Sequence, residues 1–594
     1  MRVEERVLHI GSAKPRQGGG SIALLRPPPF HRTMPTLALR RDATAPDHEA
    51  VSGPELDDLA ARIVQLRVGG CFWGRPAGRG RSVVVCGLGW RPGSRPMRWV
   101  MRDVLAAHAA EDVVLVVGPR QGGLTAQARR YGLAVVAAES DPHHLLDDAT
   151  CVYAAEATDL ARLAVLRGIA VRMLDASGVR PGGLSVRDVM TEIAVRTEYT
   201  DPFTGMAMAC ADAITLLDDW RRTIMANRQI GACLGMSRWK RRRIADFLAT
   251  APGHPPFRQH IDAGQRGAAA VWATRQPSGL EDTANRAAIP LWRIEDGFIR
   301  SIGLGSALTP PSSITVDTRG IYYDPAQESD LEHILATASF DAALRARAGK
   351  LMDALVRLGI SKYGPGRTSA PHEPWEAAGR RTILVPGQVA DDQSVRRGGG
   401  RISGNLELLQ AVRAANPDAF ILYRPHPDVE ATHRVGHVED AVVLQFADRI
   451  DRGGAITDTI ARVDEVHTLT SLAGFEALMR GRGVVTYGVP FYAGWGLTVD
   501  LGDVPARRTR RLSVEELVAG VLILFPRYLD PVTRLPCSPE ILIDRLQDAN
   551  VWRPTWWMRA LSLQTALRKA VARYRAALTS SRKKGVTTCG GLTP

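Results

Sequence analysis

Four short stretches of this chain end in side chains that could do chemistry together. Glu295 and Asp296 follow Trp292-Arg293-Ile294, and Gln388, Asp391, Asp392 and Ser394 follow Ile383-Leu384-Val385-Pro386-Gly387. Arg424 and His426 follow Phe420-Ile421-Leu422-Tyr423, and Thr470-Ser471 follow Val466-His467-Thr468-Leu469. Each stretch is an apolar β-type run broken off by polar residues, and in a parallel sheet the carboxyl ends of the strands are where ligands sit. Carboxylates, an amide, an imidazole and a guanidinium would therefore share one rim. The Thr470-Ser471 turn opens a predicted helix, and such a start offers N–H groups and hydroxyls to a phosphate. An ordinary N-cap is the plainer reading of the same turn. His426 has no second His or Cys nearby at ligand spacing, so no metal is expected there. Trp495 lies in Phe491-Tyr492-Ala493-Gly494-Trp495-Gly496, whose glycines let backbone approach a ligand closely. A core plug is the alternative for that loop. Tyr322 and Tyr323 are expected to pack inside their own lobe.

The elements that must position these residues read as α/β. Residues 1–54 look disordered and 55–228 form a degenerate Rossmann-like half-module. Residues 229–378 form an acceptor-side Rossmann-like domain, 379–548 a donor-binding one, and 549–594 a basic amphipathic tail. Gly364-Pro365-Gly366 through Pro371 and Pro374 is a plausible hinge. The chain also echoes itself. Residues 81–94 can be laid on 381–394 without a gap, Val152-Tyr153 to Arg167-Gly168 echoes Val466-His467 to Arg480-Gly481, and Tyr199-Thr200-Asp201-Pro202 echoes Tyr528-Leu529-Asp530-Pro531. These matches occur in one order, which suggests an ancient duplication. The first copy has Leu88 opposite Gln388, Pro92 opposite Asp392 and Arg120 opposite His426. It also lacks a Thr-Ser turn, so it should be scaffold or acceptor guide rather than catalyst.

These segments, with Met236-Ser237-Arg238-Trp239-Lys240-Arg241 before them, resemble the KpsC/LipA family of bacterial capsule polysaccharide proteins, over roughly residues 230–545. Ala273 departs from the pattern, where the family usually carries Gly. The resemblance implies a GT-B-like pair of Rossmann-type domains and a retaining β-Kdo glycosyltransferase that uses CMP-Kdo, with no further cofactor. It places the nucleophile at Asp392, with Asp391 next. Glu295 would serve as acid/base beside Asp296, unless one of the pair only caps the Gly297 turn or pairs with Arg300. Arg424, His426 and the Thr470-Ser471 turn would bind the donor phosphate. Gln388 would orient the nucleophile or bond the sugar, and Glu476 would hold the ribose hydroxyls or sit in a surface salt bridge.

Composition bounds the rest. The chain of 594 residues is too long for one core, and its net charge is +14. No nucleic-acid motif accompanies that charge, which gathers in Lys240-Arg241-Arg242-Arg243, in Arg507-Arg508-Thr509-Arg510-Arg511 and in the tail. The tail sets Trp556, Trp557, Leu563, Leu567, Val571, Tyr574 and Leu578 among basic residues, suiting either an anionic membrane surface or a helix packed on the protein's own core. Seven scattered cysteines without a Cys-x-x-Cys pair fit a reducing cytoplasm. The expected setting is cytoplasmic and peripheral on the inner face of the bacterial inner membrane. Expected partners are CMP-Kdo, a lipid-linked oligosaccharide acceptor and other capsule assembly proteins. A non-catalytic assembly or export factor and a GT-B-type nucleotide-sugar epimerase are the competing functions.

Overall fold

The computed structural model describes residues 23–30, 38–40, 53–78, 80–175, 178–181, 183–262, 264–302, 309–362, 364–365, 375–430 and 435–552. The tail beyond residue 552 and most of the expected hinge lie outside these, while Gly364–Pro365 pairs antiparallel with Ile360–Ser361. The backbone forms two compact units, one reaching Arg222 and the other running from Thr223, with the stretch at Phe30 belonging to the second. The boundary falls inside the helix Cys210–Asn227. No helix of the described residues is long and apolar enough to cross a membrane.

The second unit carries two six-stranded sheets. In one, Thr382–Pro386 lies at the centre, with Phe420–Arg424 and Arg449–Ile450 on one side and Glu465–Thr468, Gly483–Thr486 and Val499–Asp500 on the other. Every neighbouring pair is parallel. Thr382–Pro386 is buried along its whole length, as a parallel strand covered on both faces must be, and that is why it reads as unbroken apolar sequence. Strand order reverses between Thr382–Pro386 and Glu465–Thr468. At such a switch point the crossover connections diverge and leave a crevice at the carboxyl ends of the strands.

The other sheet runs Ile230–Leu234, Ala268–Trp272, Leu291–Asp296, Ser313–Asp317, Arg527–Leu529, Pro536–Cys537. Its first three strands are parallel and the rest antiparallel. Two features differ from the expected division. Ser313–Asp317 returns antiparallel beside Leu291–Asp296, and the last two strands cross back from the donor-side segment into the acceptor-side sheet. Phe298, Tyr322, Phe491 and Phe525 pack ring against ring where the two lobes meet, at centroid separations of 4.9–6.4 Å. One apolar core joins both lobes.

The first unit repeats the donor-side topology. Its sheet runs Ala134–Ala137, Val113–Val117, Val83–Cys86, Cys151–Ala154, Ala170–Asp175, Gly178–Pro181, with the first-occurring strand third in order, as in the second unit. Only the outermost pair differs, being antiparallel. The ends match in detail. Ser185 and Ser513 each form a capping box, with Asp188 and Glu516, and each short helix widens into a π turn. Tyr199 donates to the Ile193 carbonyl at 2.9 Å and Tyr528 to the Leu522 carbonyl at 2.7 Å. Asp201 and Asp530 then accept from the N–H two residues on and from the hydroxyl of Thr204 and Thr533. A capped helix, a π turn and a tyrosine corner thus recur in the same order in both units, in line with the order of the matches in the sequence.

Candidate functional site

A cleft of about 730 Å³ lies at the switch point, between the two lobes of the second unit. Strand ends from both sheets line it. Gln388, Asp392, Ser394, Arg424, His426, Thr470, Ser471 and Glu476 come from the donor-side lobe, and Glu295 and Asp296 from the other. The structure thus brings together ten of the twelve residues singled out from sequence. Asp391 and Trp495 do not line it.

Several of these side chains are committed to building the cleft. The Gln388 amide spans the crevice. Its Nε2 donates to Thr470 Oγ1 at 3.0 Å, while its Oε1 accepts from the Thr470 N–H at 3.0 Å and from Thr468 Oγ1 at 3.2 Å. It therefore fixes the Thr470-Ser471 turn against the neighbouring strand. The Arg424 guanidinium is turned into its own lobe. It donates to Asp451 at 2.7 Å, to the carbonyls of Gly453 and Gly454 at 2.8 and 2.6 Å, and to Thr459 at 3.1 Å. Those bonds make Arg424 a strut for the 451–454 loop at the wall of the cleft. Trp495 is 0% exposed and its indole N–H donates to the Phe491 carbonyl at 2.9 Å. The Gly/aromatic loop is a core plug, and Phe491 alone of its three aromatics lines the cleft.

The plug supports the turn from behind. Tyr492 donates its hydroxyl to the Ser471 carbonyl at 2.5 Å, and Gly474 leaves room for it. A Cβ at Gly474 would stand 2.2 Å from that oxygen. Gly474→Ala is therefore expected to lower stability by roughly 1–3 kcal/mol through overpacking and to weaken nucleotide binding, both readable from melting with and without CMP. Ser471 caps the helix Leu472–Leu478 by accepting from the Ala473 N–H at 3.2 Å. His426 Nδ1 accepts from the Asp428 N–H at 3.1 Å, which leaves the proton of the neutral ring on Nε2, a donor suited to an anion.

The carboxylates divide by environment. Asp392 is the exposed N-cap residue of Gln393–Gly398 and makes no capping bond; its carboxylate accepts from Ser394 Oγ at 3.2 Å. Asp296 meets Arg300 Nε at 2.9 Å and lies 3.9 Å from Lys240 Nζ. The alternative of an Asp296–Arg300 pair thus holds. Lys240 also sits 3.5 Å over the Trp272 ring, which explains the Met236–Arg241 motif as support for this carboxylate. Glu295 is different. Its Oε1 accepts from the Asp296 N–H at 3.1 Å, whereas its buried Oε2 has no hydrogen-bond partner. Burial, and then the Asp296 charge, push its pKa up to about 7. Burial does the same to Glu476, also to about 7. Glu476 is 6% exposed, so the surface salt bridge is excluded. A carboxyl poised near neutrality opposite an accessible carboxylate is the pairing that acid/base-assisted nucleophilic substitution needs.

Sequence reading missed Lys362, Tyr322 and Tyr323 as cleft residues. Burial drives the Tyr322 and Tyr323 hydroxyls above the usual tyrosine range, reinforced by the charges of Glu295 and Asp392. Both carboxylates therefore act on one patch of the cleft wall. The one available signal for Lys362 was composition. Seven of the 76 basic residues are lysine, and between residues 53 and 552 they are Lys240, Lys350 and Lys362 alone. Two of those three bear on the cleft carboxylates.

Comparison with known proteins followed the same segments. Residues 268–528 match the family described as capsule polysaccharide biosynthesis protein. The chain is 41% identical over 355 residues to the capsule polysaccharide modification protein LipA of Neisseria meningitidis serogroup A, covering 58% of this chain and 49% of that protein. It is 35% identical over 458 residues to LipA of serogroup B, covering 72% and 64%. The chain thus spans less than two thirds of either relative. The solved Thermosulfurimonas dismutans KpsC, beta Kdo 2,7 transferase, is 37% identical, covering 53% of this chain and 97% of that one at a TM-score of 0.42.

Proposed function

The chain belongs to the KpsC/LipA family of capsule polysaccharide proteins, and from that premise we propose that it is a glycosyltransferase moving Kdo from CMP-Kdo to a lipid-linked saccharide with retained configuration. The observation that carries this reading is the cleft itself, where Asp392 and Glu295 face a common space with His426 and the Thr470-Ser471 turn. The turn and the His426 imidazole take the donor phosphate, and Glu476 lies within reach of the nucleoside. Asp392 attacks the anomeric carbon, and the bond to the CMP oxygen breaks with its electron pair leaving on phosphate. The turn and His426 stabilise that charge as it develops. In the second step an acceptor hydroxyl attacks the same carbon, Asp392 departs, and Glu295 takes the hydroxyl proton. Two inversions give net retention.

The first unit supplies none of this chemistry, since Leu88 and Pro92 stand at its corresponding strand end. Its role in this proposal is scaffold or acceptor guide. A lipid-linked acceptor also gives the basic tail a purpose at an anionic inner-membrane face. The test is to incubate the purified full chain with CMP-Kdo and a lipid-linked acceptor mimic and to weigh the product. One added Kdo residue is expected. An unchanged acceptor with intact CMP-Kdo would overturn the transferase reading in favour of an assembly factor, and an altered nucleotide sugar with unchanged acceptor would favour an epimerase.

A further inference from the structure

We propose that Arg508 is a positioning residue for the Thr470-Ser471 turn. It locks the 490–493 turn, whose Tyr492 holds the Thr470-Ser471 backbone from behind, and Glu332 of the helix Asp330–Thr337 locks Arg508. The inference rests on the reading of the Thr470-Ser471 turn as the donor-phosphate site, and it gives the basic run at residues 507–511 an internal role.

The run Arg507-Arg508-Thr509-Arg510-Arg511 reads as surface charge in sequence, yet Arg507, Arg508 and Arg510 bond inward. Arg508 is buried, and its Nη1 donates to the Pro490 and Ala493 carbonyls at 2.8 and 2.9 Å. Those carbonyls are the two ends of one tight turn, in which the Ala493 N–H also donates to the Pro490 carbonyl at 3.1 Å. Tyr492 sits inside that turn. Its hydroxyl donates to the Ser471 carbonyl, which also accepts from the Gly474 N–H at 3.1 Å. Gly494, at φ +86°, makes room for the arginine stem: a Cβ there would stand 2.4 Å from Val504 and 3.3 Å from Arg508.

A carboxylate from a distant part of the chain sets the other side of Arg508. Its Nε donates to Glu332 Oε2 at 3.0 Å, and its Nη2 lies 3.0 Å from the same oxygen. Glu332 is buried too and takes Arg507 Nε on its Oε1. Arg507 donates further to the Pro325 carbonyl at 2.6 Å, and Arg510 to the Ala338 carbonyl at 2.8 Å, just past the last turn of the helix. These partners follow Tyr322 and Tyr323, which line the cleft. One guanidinium therefore ties the segment after that cleft wall to the support of the phosphate turn. A buried ion pair adds little net stability, because desolvation offsets its attraction. A planar guanidinium, with donors fixed in direction, is suited instead to holding two carbonyls and a carboxylate in one geometry. Loss of that fork frees the 490–493 turn to shift and weakens the bond from Tyr492 to Ser471.

The test uses the full chain, with CMP as the probe and amide exchange over residues 470–474 as a second readout. Arg508→Met/Glu332→Leu removes both charges together, a replacement that commonly leaves stability unchanged, so melting near wild type is expected. Its Kd for CMP should rise about 10-fold, the range for one lost hydrogen bond. The Ala473 and Gly474 amides should exchange about 10-fold faster. Tyr492→Phe should give a similar loss. Combined with Arg508→Met/Glu332→Leu it should not exceed the larger single loss, since both act through one bond. Arg508→Lys keeps a counter-charge for Glu332 but not the planar fork, and serves if the apolar pair does not fold. It too should weaken CMP binding with little change in melting. Unchanged Kd and exchange in these variants would overturn the proposal, as would fully multiplicative losses with Tyr492→Phe. Failure of the wild-type chain to bind CMP would sink the nucleotide reading instead, and the exchange readout would still decide whether Arg508 holds the turn.

Discussion

Asp392→Asn is expected to lower the transfer rate by about 10³-fold or more, while Asp391→Asn stays within about threefold of wild type. The two side chains are neighbours in sequence and chemically alike, so the contrast tests geometry rather than charge. Asp392 lines the cleft and Asp391 does not. An amide is nearly isosteric with the carboxylate and keeps the bond from Ser394 within reach, but it cannot form the ester to the anomeric carbon. Binding should survive, because no residue assigned to the phosphate or nucleoside changes. Initial rates at saturating donor, with CMP affinity measured separately, give the answer. The intermediate offers a second readout. In Glu295→Gln, where departure of Asp392 is slowed by loss of the base, a sugar adduct should accumulate on a peptide containing residues 387–394. Equal rates for wild type and Asp392→Asn would end the double-displacement mechanism for this chain.

Where these residues gather was legible in the sequence because burial and ligand access leave opposite marks on one strand. Ile383 to Val385 are apolar since both faces of that strand are covered, and polarity returns abruptly at Gln388 where the sheet ends. What could not be read was how each polar side chain is spent. Gln388 and Arg424 looked like ligands because an amide and a guanidinium at a strand end are equally suited to substrate and to backbone. Their partners, Thr470 for one and Asp451 with Gly453 and Gly454 for the other, lie 27 to 82 residues away in sequence. Trp495 failed for a related reason, since a loop rich in glycine and aromatics packs as readily as it binds. The return of Arg527–Leu529 to the acceptor-side sheet was hidden because strand pairing across more than 200 residues leaves no local pattern. The repeat was legible in sequence mainly as order. Its strongest support is the tyrosine corner, which the sequence shows only as Tyr199, Asp201 and Pro202 matched to Tyr528, Asp530 and Pro531.

The activity should rise with pH through about 7 and then level off, and Glu295→Gln should remove that rise. Glu295 titrates near 7 because burial and the Asp296 charge favour its neutral form. In the step that releases product it must accept a proton, so the ionised form, dominant above that pH, is the active one. Glu295→Gln cannot accept the proton, and kcat should fall about 10²- to 10⁴-fold. Burial also raises Glu476 to about 7, but the proposed mechanism assigns it to the nucleoside and not to proton transfer. Glu476→Gln should therefore raise the donor KM and leave the inflection in kcat in place. Stability runs the other way. A carboxyl raised from its usual 4.5 to about 7 on folding binds more protons in the native state between those values. Its contribution is fully present below about 4.5 and is lost as pH rises through 7. Wild type should thus melt at progressively lower temperature between pH 5 and 8 relative to Glu295→Gln, while its activity climbs over the same range. A kcat inflection near 7 that persists in Glu295→Gln would remove Glu295 from the acid/base role, because melting and rate would then report on different groups.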